Sequence, residues 1–203
     1  FQSYLKKSLR IAKATRQSVT LLHADLDHFK LLNDTRGNTL GDYVLKIVAK
    51  RLVKGMAGRG YVARLSGDEF AIIIAQTMST DEINHIAQQM IETVSRPITY
   101  NGQSIRLSMS IGTASWPQSV ENSDMLAKAA NVALSEIKQN GRGGVLQYHS
   151  QLMKSVTRIA EQLELAQYAI DQHKVEPYYQ PKVRLNDGEL VGLEALLRFT
   201  LPN

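Results

Sequence analysis

The sequence predicts an α+β domain, a mainly antiparallel sheet flanked by helices. Three observations carry that expectation. Residues 19–24, 61–65 and 70–74 are apolar, strand-like runs bounded by turn residues. Between them lie stretches with apolar residues at i, i+3, i+4 and i+7, the period of a helix with one buried face. The order is strand, helices, hairpin, helix, two strands, helix and strand, which reads as a sheet with helices packed on it.

Size and composition bound the rest. The chain has 203 residues, enough for one full domain and a fragment or for two small ones. Hydrophobic residues make up 43% and charged residues 21%, the balance of a compact globular protein. The formal charge of +5 comes from scattered Lys and Arg, with no basic stripe interleaved with aromatics, so nucleic acid is not expected as a partner. Cysteine is absent, which excludes disulfides, thiolate metal sites and a cysteine nucleophile. No apolar run reaches the roughly 18 residues of a membrane span. The chain starts with Phe1, which suggests a piece of something larger.

Taken in order, residues 1–16 read as an amphipathic helix with Leu5, Leu9 and Ala12 on one face. A buried strand follows and ends in Asp25-Leu26-Asp27, with Asp27 as the expected N-cap of a short helix from His28 to Asn33. Residues 34–38 are expected to loop. Gly41-Asp42 then opens a longer helix carrying Leu45, Val48, Ala49 and Leu52, stopped by Gly55 and Gly58. The two strands at 61–65 and 70–74 make a hairpin around Ser66-Gly67.

Ser79-Thr80-Asp81-Glu82 has capping-box spacing ahead of a helix bearing Ile83, Ile86, Ala87, Met90, Ile91 and Val94. Asn101-Gly102 predicts a second hairpin, whose return strand is expected to run on through Gly112. Ser123 is expected to cap a helix with Leu126, Ala130, Ala133 and Ile137 inside, and residues 145–148 form the last strand. Beyond it, Leu152, Val156, Ile159, Leu163, Ala166 and Ile170 make the stripe of a helix that packs on a partner, either ordinary core or a dimer seam.

The chemistry is expected at the strand ends. A charge at Asp25, closing a buried strand, is unfavourable unless it is paired or coordinates something. Asp68 and Glu69 sit at the hairpin tip, where acids also serve simply to stay solvated. If strand and hairpin are neighbours, three carboxylates converge, and hard oxygen ligands of that kind suit Mg²⁺ or Mn²⁺ with phosphate oxygens completing the shell. Lys30 lies at a helix start that favours anions, and Lys138 and Arg142 bracket the end of another helix. Each of these cations could equally be a solvated surface charge, and Asn33 and Asp42 could be plain helix-terminal residues.

Asp25-Leu26-Asp27-His28-Phe29-Lys30, then Asn33-Asp34, Gly37, Gly41-Asp42 and Ser66-Gly67-Asp68-Glu69-Phe70, resembles a GGDEF domain, the family of diguanylate cyclases and their degenerate relatives. The resemblance covers residues 1–148 and implies the ferredoxin-like, palm-type version of the predicted sheet. It also implies that two GTP condense to cyclic dimeric GMP with loss of two pyrophosphates. On that resemblance Asp25, Asp68 and the Leu26 carbonyl would hold Mg²⁺ or Mn²⁺, and Glu69 would assist deprotonation of the attacking 3′-hydroxyl. Asn33 and Asp42 would bind guanine, while His28 and Phe29 (through their main chain), Lys30, Lys138 and Arg142 would hold phosphates. Since one domain holds one GTP, the resemblance implies a homodimer. It further implies a cytoplasmic domain, compatible with a larger membrane-associated sensor protein.

Ser66 stands where the family motif has its first glycine, Asn38 replaces a usual histidine, Asn131 an aspartate and Ser135 a tyrosine. The Arg-x-x-Asp of the family's product-inhibition site is replaced by Ala57-Gly58-Arg59-Gly60, so that site is expected to be missing. Residues 149–174 are expected to be a linker helix. Tyr179-Gln180-Pro181 and Glu194-Ala195-Leu196-Leu197-Arg198, within residues 175–203, resemble the start of an EAL domain, truncated before its remaining ligands. The rival to a cyclase is a GTP-binding regulatory module that tunes an attached EAL phosphodiesterase or receptor domain. A template-dependent polymerase palm lacks the basic track it would need.

Overall fold

The computed structural model describes residues 1–199, without the side chains of residues 155, 156 and 160. Val156 of the apolar stripe and the last residues of the EAL-like segment therefore lie outside the described residues. Residues 1–153 form one compact unit, and the chain from Lys154 onward forms a second.

In the first unit α1 (Gln2–Thr15) leads into β1 (Val19–Leu26), followed by α2 (Phe29–Arg36) and α3 (Asn38–Met56). The hairpin β2 (Tyr61–Ser66) and β3 (Glu69–Ile74) precedes α4 (Thr80–Val94). A small hairpin of β4 (Ile98–Tyr100) and β5 (Gln103–Ile105) leads to β6 (Met109–Trp116), α5 (Leu126–Gln139) and β7 (Val145–Gln147). The main sheet has five strands in the order β2-β3-β1-β6-β7; all its pairs are antiparallel except β6 with β7. The α+β expectation holds.

Strand alternation divides β1 between two cores. Leu22, Ala24 and Leu26 pack with Phe70, Ile72, Val44, Val48 and Met90 under α3 and α4. Val19 and Leu21 pack with Leu5, Leu9, Ala130 and Ala133 under α1 and α5. Asp25 falls on the α5 side by the same alternation.

Several local expectations are corrected. α3 begins at Asn38 rather than Gly41, because Gly37 alone, at φ 85°, makes the joint after α2. The strand expected to run through Gly112 is two strands in two sheets, β5 in the small hairpin and β6 in the main sheet. Ser123 is not the helix cap: Asn122 Oδ1 accepts from the Asp124 N–H, and Ser123 Oγ accepts instead from Lys13 Nζ at 3.0 Å. The capping box at α4 forms as expected, with Ser79 N–H donating to Glu82 at 2.7 Å.

In the chain beyond, α6 (Ser150–Asp171) is followed by an antiparallel hairpin of β8 (Val175–Val183) and β9 (Leu190–Phe199). Leu152 joins the core under α5, whereas Ile159, Leu163 and Ile170 of the stripe are exposed. Among the described residues no helix is long and apolar enough to cross a membrane.

The placement of α5 depends on Gly112. A Cβ there would lie 2.2 Å from the Ala130 carbonyl oxygen and 2.2 Å from the Leu134 nitrogen, so the helix backbone rests directly on the strand. Gly112→Ala is expected to push α5 off the sheet and cost about 3 kcal/mol in urea-denaturation stability, as overpacking against backbone does. A change under about 0.5 kcal/mol would contradict this contact.

Candidate functional site

β1 is the central strand, and its end carries two acids on one face, Asp25 at 4% exposure and Asp27 at 2%. A buried carboxylate is unfavourable by several kcal/mol unless donors or charges answer it. The two acids are answered differently.

Asp27 is met by fixed donors. Ser108 Oγ donates to Oδ2 at 2.6 Å, Ser110 Oγ to Oδ1 at 2.7 Å and the Gly143 N–H to Oδ2 at 3.1 Å. This replaces the expected N-cap role. The N-cap of α2 is His28, at φ 59°, and among the described residues no side-chain cap meets the first amides of α2. Through Gly143 the network fastens the loop that carries Arg142 to the end of β1.

Asp25 lies opposite Glu69 on β3 and opposite Ser110 on β6. Its side-chain partner is Lys138 from α5, whose Nζ stands 2.8 Å from Oδ1. Burial pushes the Asp25 carboxyl up, the hydrogen bond from Lys138 pulls it down, and Asp68 and Glu69 push it up again. Two residues earlier on the same face, burial lowers the His23 imidazole, against the charge of Glu69, and His23 Nε2 is buried without a partner.

The hairpin tip is tied to this strand. The Leu26 N–H donates to the Asp68 carbonyl at 3.3 Å, and Arg64 Nε donates to the Gly67 carbonyl at 2.8 Å across the turn. Ser66 Oγ donates to Glu69 Oε2 at 2.9 Å, so the hydroxyl that replaces the motif glycine lies on the acid. The β2–β3 register shifts between Arg64 and Ser66, a bulge of the kind that re-aims side chains at a strand end.

The structure thus gathers Asp25, Leu26, Asp68, Glu69 and Lys138 around one strand end. His28, Phe29 and Lys30 follow directly at the start of α2, where Phe29 is buried and His28 and Lys30 are exposed. Asn33 and Asp42 form a separate pair. Asn33 is half-buried with Oδ1 unpartnered, and a Cβ at position 41 would lie 1.9 Å from that oxygen, so Gly41 lets α3 close over it with the exposed Asp42 next in line. Arg142 is exposed, at φ 64° in its loop.

Among the described residues no three His, Asp or Glu side chains stand close enough to enclose a metal by themselves. The donor chemistry nevertheless fits a hard divalent ion that takes its remaining ligands from phosphate and water. Asp25 and Glu69 are register partners, the Asp68 carbonyl is bonded to the neighbouring Leu26 N–H, and an ammonium already stands on Asp25 as a cation does.

A family model for the diguanylate cyclase GGDEF domain matches residues 1–144. The chain belongs to the GGDEF family. The GGDEF domain of TpbB (YfiN) from Pseudomonas aeruginosa is 30% identical and superimposes with a TM-score of 0.74 over 77% of this chain and 92% of that one. The cyclic di-GMP phosphodiesterase NbdA of P. aeruginosa is 31% identical over 100% of this chain and 26% of its own length. The bifunctional diguanylate cyclase/cyclic di-GMP phosphodiesterase MucR of the same organism is 31% identical over 95% of this chain and 29% of its own. The chain therefore spans little more than a quarter of these two relatives.

Within this GGDEF domain the sequence reading missed the network on Asp27, the bond from Ser66 to Glu69 and the pairing of Lys138 with Asp25. For the first, alternation puts Asp27 on the Asp25 face and Ser108 and Ser110 on one face of their segment, but it does not pair the two segments. Asp27→Ala removes the acceptor of both serine hydroxyls, while the Gly143 N–H keeps Ser110 Oγ at 3.1 Å, and is expected to lower stability by about 2 kcal/mol in urea denaturation, with Asp27→Asn losing clearly less because an acceptor remains. Equal stability of Asp27→Ala and the parent chain would refute the network.

Proposed function

We propose that the domain is a diguanylate cyclase that joins two GTP into cyclic dimeric GMP across a homodimer, with Mg²⁺ or Mn²⁺. The observation that carries this reading is the meeting of Asp25, Asp68 and Glu69 at the end of β1, beside a helix start with uncapped amides. In each half-reaction a 3′-oxygen bonds to the α-phosphorus of the other GTP, the bond to pyrophosphate breaks, and the hydroxyl proton leaves to a base.

Asp25, Asp68 and the Leu26 carbonyl are the ligands for the divalent ion, which supplies charge neutralisation on the triphosphate and acidifies the 3′-hydroxyl. Glu69, held by Ser66, takes the role of assisting that deprotonation. Asn33 and Asp42 are the guanine-reading pair: the unpartnered Asn33 oxygen and the acceptor-only Asp42 carboxylate suit the ring N–H and exocyclic amine. The uncapped amides near His28 and Phe29, with Lys30, Lys138 and Arg142, take the phosphates. Each domain has one such site, so product requires two domains face to face.

The proposed domain limits are 1–148 for the GGDEF domain, 149–174 for a linker helix and 175–203 for the start of an EAL domain. Glu194, paired with Lys182 at 3.1 Å on the β8–β9 hairpin, would be the first EAL metal ligand. The second reading, a GTP-binding module that regulates such an EAL domain, is favoured by the likeness to NbdA, which is named for phosphodiesterase activity.

Incubation of the full-length protein with GTP and Mg²⁺ is expected to yield cyclic dimeric GMP. Asp68→Ala is expected to lower the rate at least about a hundredfold, on the scale of the several kcal/mol an ion contributes. Saturable GTP binding with no product would establish the module instead. Product is also expected not to inhibit through the segment 57–60. There Arg59 is folded back on the Gly55 and Met56 carbonyls, and a Cβ at position 60 would lie 2.8 Å from the Ile73 oxygen. Product binding that Arg59→Ala abolishes would overturn that expectation.

A further inference from the structure

Asp25 and Asp27 are two residues apart, equally buried, and compensated in opposite ways. Asp27 has three donors that are short or part of the backbone, a set that holds one geometry. Asp25 has one side-chain donor among the described residues, and it is the long, flexible Lys138. The Lys138 side chain is 35% exposed against 6% for that of Asp25, so the pair joins a partly solvated side chain to a buried one. It is carried near the end of α5, one residue before Gln139 closes the helix, ahead of the Gly141-Arg142-Gly143-Gly144 loop that Asp27 fastens to the same strand end.

We propose that Lys138 is an exchangeable counter-ion for Asp25, one that competes with a divalent cation for the carboxylate and yields it when a triphosphate arrives with the cation. The inference rests on the metal-and-nucleotide reading of the site given above. Its basis is competition for one oxygen. A bound Mg²⁺ lies about 2.0–2.1 Å from its carboxylate oxygens. The Lys138 nitrogen stands 2.8 Å from Oδ1, so ion and ammonium would crowd the same acceptor and repel each other.

Lys138 is paired with Asp25 alone, while Asp68 and Glu69 add negative charge near that carboxylate. Lys138 thus lowers the attraction for a free cation without cancelling it. A nucleotide changes the balance, because its phosphates give Lys138 another anionic partner while the cation takes Asp25. Cation and nucleotide then bind with mutual reinforcement, and the domain discriminates against the cation alone. Reciprocal coupling of this kind is a property of the two binding equilibria together.

The test is Mn²⁺ binding to the full chain, followed by electron paramagnetic resonance without nucleotide and with a non-hydrolysable GTP analogue. Lys138→Met is expected to bind Mn²⁺ alone about tenfold tighter than the parent, a change on the scale of one strong ion pair. The analogue is expected to tighten Mn²⁺ binding less in Lys138→Met than in the parent. Mn²⁺ is also expected to raise the melting temperature of Lys138→Met more than that of the parent, which keeps the test readable if the variant is less stable. Equal or weaker Mn²⁺ binding by Lys138→Met, or an unchanged gain from the analogue, would overturn the counter-ion role. Asp25→Asn separates the two levels of the argument: loss of Mn²⁺ binding upholds the metal reading, whereas Mn²⁺ binding that survives it overturns both.

Discussion

The burial of two carboxylates at the end of the central strand is the constraint on which the site depends. At the end of a strand enclosed by sheet neighbours and by helices on both faces, Asp25 and Asp27 are only 4% and 2% exposed, so solvent stabilises their charge little. The fold must therefore bring donors from elsewhere in the sequence. Asp27 draws in the segment at Ser108 and Ser110 and the glycine loop after α5; Asp25 draws in Lys138. Three chain segments more than 80 residues away are thereby fixed around one strand end.

Two glycines make that gathering geometrically feasible. At Gly112 the absence of a side chain lets the α5 backbone rest on β6, which sets the height from which Lys138 reaches Asp25. At Gly41 the same absence lets α3 close on Asn33. Neither contact concerns turn conformation, since φ is in the left-handed range at neither position. Each is a close approach of backbone, and in each a residue proposed to contact nucleotide is positioned by something that does not contact it.

Apart from the break between β5 and β6, the element order was legible in the sequence, because hydrophobic period reports which side of a strand or helix is enclosed. So were the acids of the site, since Asp25 interrupts an apolar strand and Asp68 and Glu69 sit at a reversal. What was not legible was pairing. Nothing local distinguishes Asp27 as the acceptor of three long-range hydrogen bonds from Asp27 as a helix cap, because Asp suits both. Lys138 likewise looks the same in sequence whether it faces solvent, phosphate or a buried carboxylate. The start of α3 was misplaced for a related reason: Asn38 and Thr39 favour loops locally, and the packing of Leu40 and Val44 overrides that preference.

The end of β1 is proposed as a metal–nucleotide site in which Lys138 changes partners. A crystal structure of the protein with Mn²⁺ and a non-hydrolysable GTP analogue, using the anomalous signal of the ion, tests it most directly. The account predicts Mn²⁺ within bonding distance of Asp25 and Asp68, guanine against Asn33 and Asp42, and Lys138 Nζ moved from Asp25 to a phosphate oxygen. Mn²⁺ bound away from both aspartates, or Lys138 still on Asp25 with the nucleotide in place, would contradict it.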